Sequence, residues 1–275
     1  MKRARLILPA VICLLALIQP SIVQAADDYA GPWERFSVSL GGFLPSLNSD
    51  VRLGSSALGS GIAVNLEEAL GFETTTTVFR LGALYRIGEK RRHRIALSYF
   101  DIRRDGTKTL EEDLPEYGFL AGDVATSFLN LKVFKLDYGY SFFMDDRMNL
   151  ALTAGLYVMP FEVGLKVEDV GEEGGDFTAP LPVVGLNFDF AISSKWFLLN
   201  SFEVFYLEYQ DFKGTILDTS LAIEYHPWTH WAFGLGVDAF NLGIEADGGD
   251  YPLVDFVGVV DFNYIGLAFY AKYQF

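Results

Sequence analysis

Three histidines, 36 carboxylates and one cysteine set the chemistry open to this chain of 275 residues. His93, His226 and His230 would act as general acids or bases only beside a positioned partner, and two of them crowd into His226-Pro227-Trp228-Thr229-His230. No Gly-x-Ser-x-Gly elbow, His-Glu-x-x-His pair or phosphate-binding glycine-rich loop is present, and Gly59-Ser60-Gly61 follows no cofactor spacing. Carboxylates are abundant, yet nothing singles out a catalytic pair. We therefore expect no catalytic residue, no cofactor and no metal centre. The acidic runs Glu111-Glu112-Asp113 with Glu116, and Glu168-Asp169-Val170-Gly171-Glu172-Glu173-Gly174-Gly175-Asp176, offer hard oxygen ligands to divalent cations, although their spacing is that of no defined loop.

The balance of 21 basic against 36 acidic residues, a formal charge of −15, excludes sequence-independent binding to nucleic acid, whose phosphates demand a basic face. Met1, Lys2, Arg3 and Arg5 form a basic start, Leu6 to Ile18 is an apolar run, and Val23-Gln24-Ala25 supplies small residues. This is the pattern of a secretory signal peptide over residues 1–25, too short for a transmembrane helix, which needs roughly 20 apolar residues. Cleavage would leave 18 basic residues against the same 36 acidic ones and would remove Cys13, so the mature chain would hold neither disulfide nor thiolate.

After Ala26 no stretch is apolar for as long as 18 residues, and period two takes over. Phe79, Leu81, Ala83, Tyr85 and Ile87 fall on one face of a strand, with Arg80 and Arg86 on the other. The same alternation runs through Leu136-Phe142, Val184-Phe190, Leu217-Tyr225 and Leu267-Phe275. A soluble sandwich or a ligand-holding barrel would alternate in the same way. Short connections at 88–92, 144–147, 193–195 and 226–229 take turns with mostly longer polar ones, which favours an outer-membrane type of barrel with short periplasmic turns and longer external loops. Trp33, Trp196, Trp228 and Trp231 all fall at the first strand's start or beside a short turn, where they would form a girdle at one membrane interface.

With a basic signal, a cysteine-free acidic mature chain, period-two strands and a terminal Tyr273-Gln274-Phe275, the sequence resembles the outer-membrane β-barrel proteins of Gram-negative bacteria. The loop Val64 to Phe72, followed by a strand and Arg92-His93-Arg94, also resembles a mostly unassigned subset of small barrels. The resemblance implies export through the periplasm, contact with outer-membrane lipid and lipopolysaccharide, and recognition by the barrel-assembly machinery of Leu267, Phe269, Ala271, Tyr273 and Phe275. One departure is Tyr270, where the family's signal often has glycine.

The expected fold class is thus all-β: an antiparallel up-and-down transmembrane barrel of about ten strands, eight or twelve being the alternatives, filling residues 26–275 as one domain. Strands are expected near 33–47, 74–88, 93–105, 124–143, 147–166, 181–192, 196–211, 214–225, 229–246 and 254–275, with Asn263-Tyr264-Ile265-Gly266 as a turn or bulge. Val64 to Phe72 has the spacing of a short amphipathic helix placed to lid the mouth. If apolar faces meet lipid, the lumen receives Arg35, Arg80, Arg86, Arg94, Lys135 and Lys272 from the early and last strands. Asp189, Glu203, Asp218, Glu224 and Asp238 come from the opposite wall, with Asp137 beside Lys135.

These charges either pair across a packed interior or line a narrow pore for small polar solutes. The expected function is a non-enzymatic structural or surface-interaction barrel; a pore is the alternative, and an outer-leaflet lipid-modifying enzyme the third. If the acidic loops capture divalent cations, calcium raises the thermal midpoint of the folded barrel well beyond sodium at equal ionic strength; identical midpoints refute the idea.

Overall fold

A computed structural model describes residues 32–53, 63–65, 77–109, 120–167, 171–209, 212–246 and 258–275. Ten long strands close into a single antiparallel barrel: β1 (Phe36–Leu53), β3 (Val78–Ile87), β4 (His93–Thr109), β5 (Val124–Met144), β6 (Met148–Val167), β7 (Gly171–Ala191), β8 (Trp196–Tyr209), β9 (Phe212–Tyr225), β10 (Trp231–Ala246) and β11 (Gly258–Gln274). Each pairs with its sequence neighbours, and β11 closes the ring on β1 from Ser37↔Gln274 to Leu53↔Gly258. Closure leaves no unpaired edge across the membrane, the condition for a sheet to span hydrocarbon. An eleventh, three-residue strand, β2 (Ala63–Asn65), pairs with β1 above the point where β3 ends.

Val64 and Asn65 are therefore strand where the sequence pattern predicts the start of a helix; Leu66 to Phe72 lie outside the described residues. Asn263 to Gly266 is neither turn nor bulge but continuous β11, because both flanking strands pair through it, as in Asn48↔Asn263↔Asn241. The acidic run after β6 is not one long loop. Lys166↔Glu172 and Glu162↔Asp176 are register partners, so Gly171 to Asp176 belong to β7 and pair with β6. Glu111 to Glu116 and residues 1–31 lie outside the described residues.

At one end the strands are joined by the short turns 88–92, 145–147, 192–195 and 226–230, and β1 starts and β11 finishes there too. This is called the turn end, and the opposite one the loop end. In the turn-end half the outer wall is apolar: Phe79 is 74% exposed, Leu235 63%, and Leu97, Leu136, Leu152, Leu186, Leu221 and Leu267 all point outward. A continuous exposed apolar wall of this extent is stable only against hydrocarbon.

Towards the loop end the strands that run past the apolar band keep their period but exchange their faces, as β10 and β5 show. Outside, Leu235 and Val237 of β10 give way to Asn241 and Glu245, while on its inner face Gly236 and Asp238 give way to Phe240, Leu242 and Ile244. In β5, Leu136 and Tyr138 outside give way to Lys132, while Asp137 and Lys135 inside give way to Val133, Leu131 and Leu129. All the barrel strands but β3, which has 10 residues, run to 14–21 and exceed the roughly 9–11 that cross a membrane, and the exchange marks where they leave it. Above it the barrel is built like a soluble one, with water outside and a dry core within.

This frame predicts opposite responses to one substitution at two outward sites of the same strand. Leu235→Arg should cost about 2–4 kcal/mol, the penalty of an arginine at the bilayer midplane, and Asn241→Arg close to nothing. Reversible denaturant unfolding in lipid vesicles reads both.

Candidate functional site: a charged chamber beneath an apolar plug

The loop-end half of the lumen is filled. Twenty buried apolar side chains form one cluster among the described residues, including Phe43, Phe100, Leu131, Met159, Phe240, Phe262 and Tyr264. Their rings interlock, Phe43 against Tyr264 at 4.8 Å and Phe240 against Tyr264 at 5.3 Å. Sequence reading, which assigned the inner face to charges along whole strands, missed this plug. The signal was there, because Phe100-Ile102 and Leu129-Leu131-Val133 alternate with Asp101, Arg103, Asn130 and Lys132 on the opposite parity.

Below the plug the interior is ionic and holds a chamber of about 330 Å³. Arg80, Arg86, Arg94, Lys135, Asp137, Asp189, Glu203, Glu224, Asp238 and Lys272 all line it. The pairs cross from wall to wall. Arg80 Nη1 meets Asp238 Oδ2 at 2.5 Å, linking β3 to β10, and Lys135 Nζ meets Glu203 Oε2 at 2.6 Å, linking β5 to β8. Lys272 Nζ meets Glu224 Oε1 at 2.5 Å, linking β11 to β9. Arg86 and Arg94 both face Asp189, at 3.8 and 3.7 Å. Asp218 and Asp137 gather around Lys135 at 3.8 and 3.3 Å.

Arg80 marks the boundary between the halves. Its guanidinium carbon lies 5.2 Å from the Phe43 ring centre and 5.0 Å from that of Phe100, so it closes the ionic layer and underlies the apolar one. Tyrosines complete the network: the Tyr157 hydroxyl lies within hydrogen-bond reach of both Glu203 and Asp218, with one proton to donate to either, and that of Tyr270 donates to Glu224 Oε2 at 2.9 Å. Tyr270, the departure from the family's terminal pattern, lies in register between Gly41 and Gly234. A side chain at Gly234 would collide with the Tyr270 ring, so the two glycines make room for the aromatic that reaches Glu224. Gly139 does the same for Arg94, whose Nε would stand 2.7 Å from a Cβ there.

Arg35 is absent from the chamber lining, and Glu34 stands in the lining instead. The strand begins only at Phe36, so period two does not extend back to Arg35, and the chain before it folds in beneath the barrel. Glu34 accepts from Lys272 Nζ at 3.2 Å. Burial alone would raise its carboxyl, but Lys272 and Arg86 outweigh it and hold it down at about 2.

Trp33 is also displaced from the expected girdle. It is 2% exposed, packed edge-on against Phe197 with ring centres 6.1 Å apart, and its Nε1 donates to the Asp145 carbonyl at 2.8 Å. Arg91, in the left-handed conformation at φ 51°, donates from Nη1 to the Trp33 carbonyl at 2.6 Å. Trp33 thus covers the turn end of the chamber. Trp196, Trp228 and Trp231 do face outward at that end, beside Tyr225, Phe233 and Tyr273. In the 145–147 turn, the backbone N–H groups of Arg147 and Met148 donate to Asp145 Oδ1 and hold its carboxyl below the usual range.

All three histidines lie at the turn end. His93 contacts the Tyr138 hydroxyl at 2.6 Å, and His230 the Gln274 carbonyl at 2.9 Å. His226 turns inward, with Nε2 at 2.6 Å from Glu224 Oε1 and its ring 4.4 Å from Phe197. No cluster of three metal-ligating side chains occurs among the described residues.

The geometry meets a known fold in the outer membrane protease OmpT from Escherichia coli: TM-score 0.53 and 13% identity over 87% of this chain and 96% of that one. The chain has the fold of Gram-negative outer-membrane β-barrels. Also similar are Neisserial surface protein A, at TM-score 0.37 and 13% identity over 87% of this chain and 97% of that one, and the attachment invasion locus protein Ail of Yersinia pestis, at 0.37 and 10% over 86% and 99%. No protein-family model matches the chain, and no curated protein does.

Among the described residues Lys135 is the cation within ion-pair reach of Asp137, Glu203 and Asp218. Lys135→Met should therefore destabilise the barrel by about 3–5 kcal/mol, the cost of stranding buried charge, and adding Glu203→Gln should recover part of it. Unfolding midpoints of the wild type, both single variants and the double variant measure the coupling.

Proposed function

We propose that the protein is a non-enzymatic barrel of the Gram-negative outer membrane, with a structural or surface-interaction role. It would be a closed membrane anchor that carries a rigid β-walled collar above the lipid. The observation that carries this reading is the apolar plug, which seals the loop-end lumen with close-packed rings and leaves the charged chamber a dead end. A barrel of ten strands is near the size that side chains can fill.

In this reading residues 1–25 are removed on export, the turn end faces the periplasm, and the loop end meets lipopolysaccharide and the exterior. The row Leu267, Phe269, Ala271 and Tyr273 shares one outward parity on β11, with Phe275 directly after it bonded through its N–H to the Phe36 carbonyl, which supports its use as the signal read by the barrel-assembly machinery. An outer-leaflet enzyme would need an acid–base group at the loop end, and the histidines stand at the opposite one. The alternative of a narrow polar pore draws on the charged chamber, but requires the plug to move as a body.

Planar-bilayer recording decides between the two. The refolded barrel should be electrically silent, and so should an Asp218→Asn, Glu224→Gln variant. Steady unitary conductance whose ion preference shifts in that variant would replace this reading with the pore.

A further inference from the structure

We propose that the chamber binds a small anion, a carboxylate or inorganic phosphate, between Arg86 and Arg94. The two arginines are register partners on adjacent strands, so two positive side chains project side by side into the lumen. Like charges in that relation destabilise a sheet unless something between them supplies negative charge.

The other cations of the chamber are each in close contact with a carboxylate: Arg80 with Asp238, Lys135 with Glu203, and Lys272 with Glu224, all at 2.5–2.6 Å. Arg86 and Arg94 share Asp189 alone, at 3.8 and 3.7 Å, beyond hydrogen-bond length, and Asp189 Oδ2 already accepts from Asn149 Nδ2 at 2.8 Å. Of the other acids nearby, Glu34 pairs with Lys272 while also facing Arg86, and Asp137 pairs with Lys135 through Oδ2, leaving its Oδ1 without a hydrogen bond. Arg86 is 3% exposed, yet its Nε and Nη1 have no hydrogen-bond partner, nor has Nε of Arg94.

Buried guanidinium donors without acceptors are costly, and their planar forks match the oxygens of a carboxylate or phosphate. Both arginines line a cavity of about 330 Å³, which suits an anion of a few heavy atoms with some water. The plug closes the loop side, so entry is from the turn end, past Trp33. The Trp33 ring centre lies 6.0 Å from the Arg86 guanidinium carbon, which makes its emission a local reporter of occupancy.

The test uses the full mature chain refolded in detergent micelles, with Trp196, Trp228 and Trp231 replaced by Phe. Sodium phosphate and sodium acetate are titrated in separate arms against sodium chloride at constant ionic strength, with Trp33 emission and calorimetry as readouts. A saturable response to phosphate, acetate or both, absent with chloride, is expected, and its strength in each arm identifies the anion class. Arg94→Lys keeps the charge but loses the fork and should weaken binding roughly tenfold or more. Asp189→Asn removes the competing carboxylate and should tighten it. No saturable response in the wild type overturns the proposal. So does a response that neither variant changes, which would show solvent or a surface ion alone. If Arg94→Lys does not fold, the Asp189→Asn titration decides, and unchanged or weaker binding there refutes the site.

Discussion

A charge inside a narrow barrel that crosses a membrane has no bulk water to retreat to, so it must find its counter-charge on the opposite wall. That constraint organises the turn-end half of this molecule. Its outer face has to be apolar, which leaves the alternate residues of each strand for the inside, where ten converging strands bring them within a few ångströms of one another. Cations from β3, β4, β5 and β11 answer acids from β7 to β10, and each such pair ties together strands that share no backbone hydrogen bonds. The network thus ties together strands two to four places apart in the ring as well as neutralising it. Glycines such as Gly139 and Gly234 take part by leaving the space into which Arg94 and Tyr270 fold.

The same strands then solve the reverse problem. Beyond the membrane the outer face is wetted, and the stable arrangement is that of a soluble barrel, with its apolar side chains gathered inside. Neither solution can extend into the other's zone, so the change of face is confined to a narrow belt. Arg80 occupies it, with its charge on Asp238 and its guanidinium plane against Phe43 and Phe100. A side chain with an ionic edge and a weakly hydrated face suits that boundary better than a lysine would. The belt also divides the interior, with apolar side chains filling the lumen on its loop side and Trp33 packed over the chamber on its turn side.

Function follows from this partition more than from any motif. A barrel fold hosts many activities, and the activity depends on what its surfaces and cavities present. Here the plugged lumen supports the anchor reading, and Arg86 and Arg94 meet the carboxylate they share only beyond hydrogen-bond length.

The sequence alone determined the class, because period two with charges on one parity is readable residue by residue. It also placed most lumen charges, since parity is unambiguous inside a regular strand. Arg80, Arg86, Arg94, Lys135, Asp189, Glu203, Glu224, Asp238 and Lys272 could all be assigned a face without knowing their partners. What it did not convey were the ends of that regularity. Arg35 and Trp33 were assigned by extending the first strand two or three residues too far, past the point where the chain bends in beneath the barrel. The plug escapes a reading that keeps one parity inward as charged along whole strands, because polar and apolar residues trade parity partway along β5 and β10. Partner choice across the lumen was likewise left to the tertiary structure, for residues more than 100 positions apart, such as Arg80 and Asp238, meet only when β11 returns to β1. Local pattern is a property of one strand, whereas the inside and its pairings exist only once all ten enclose it.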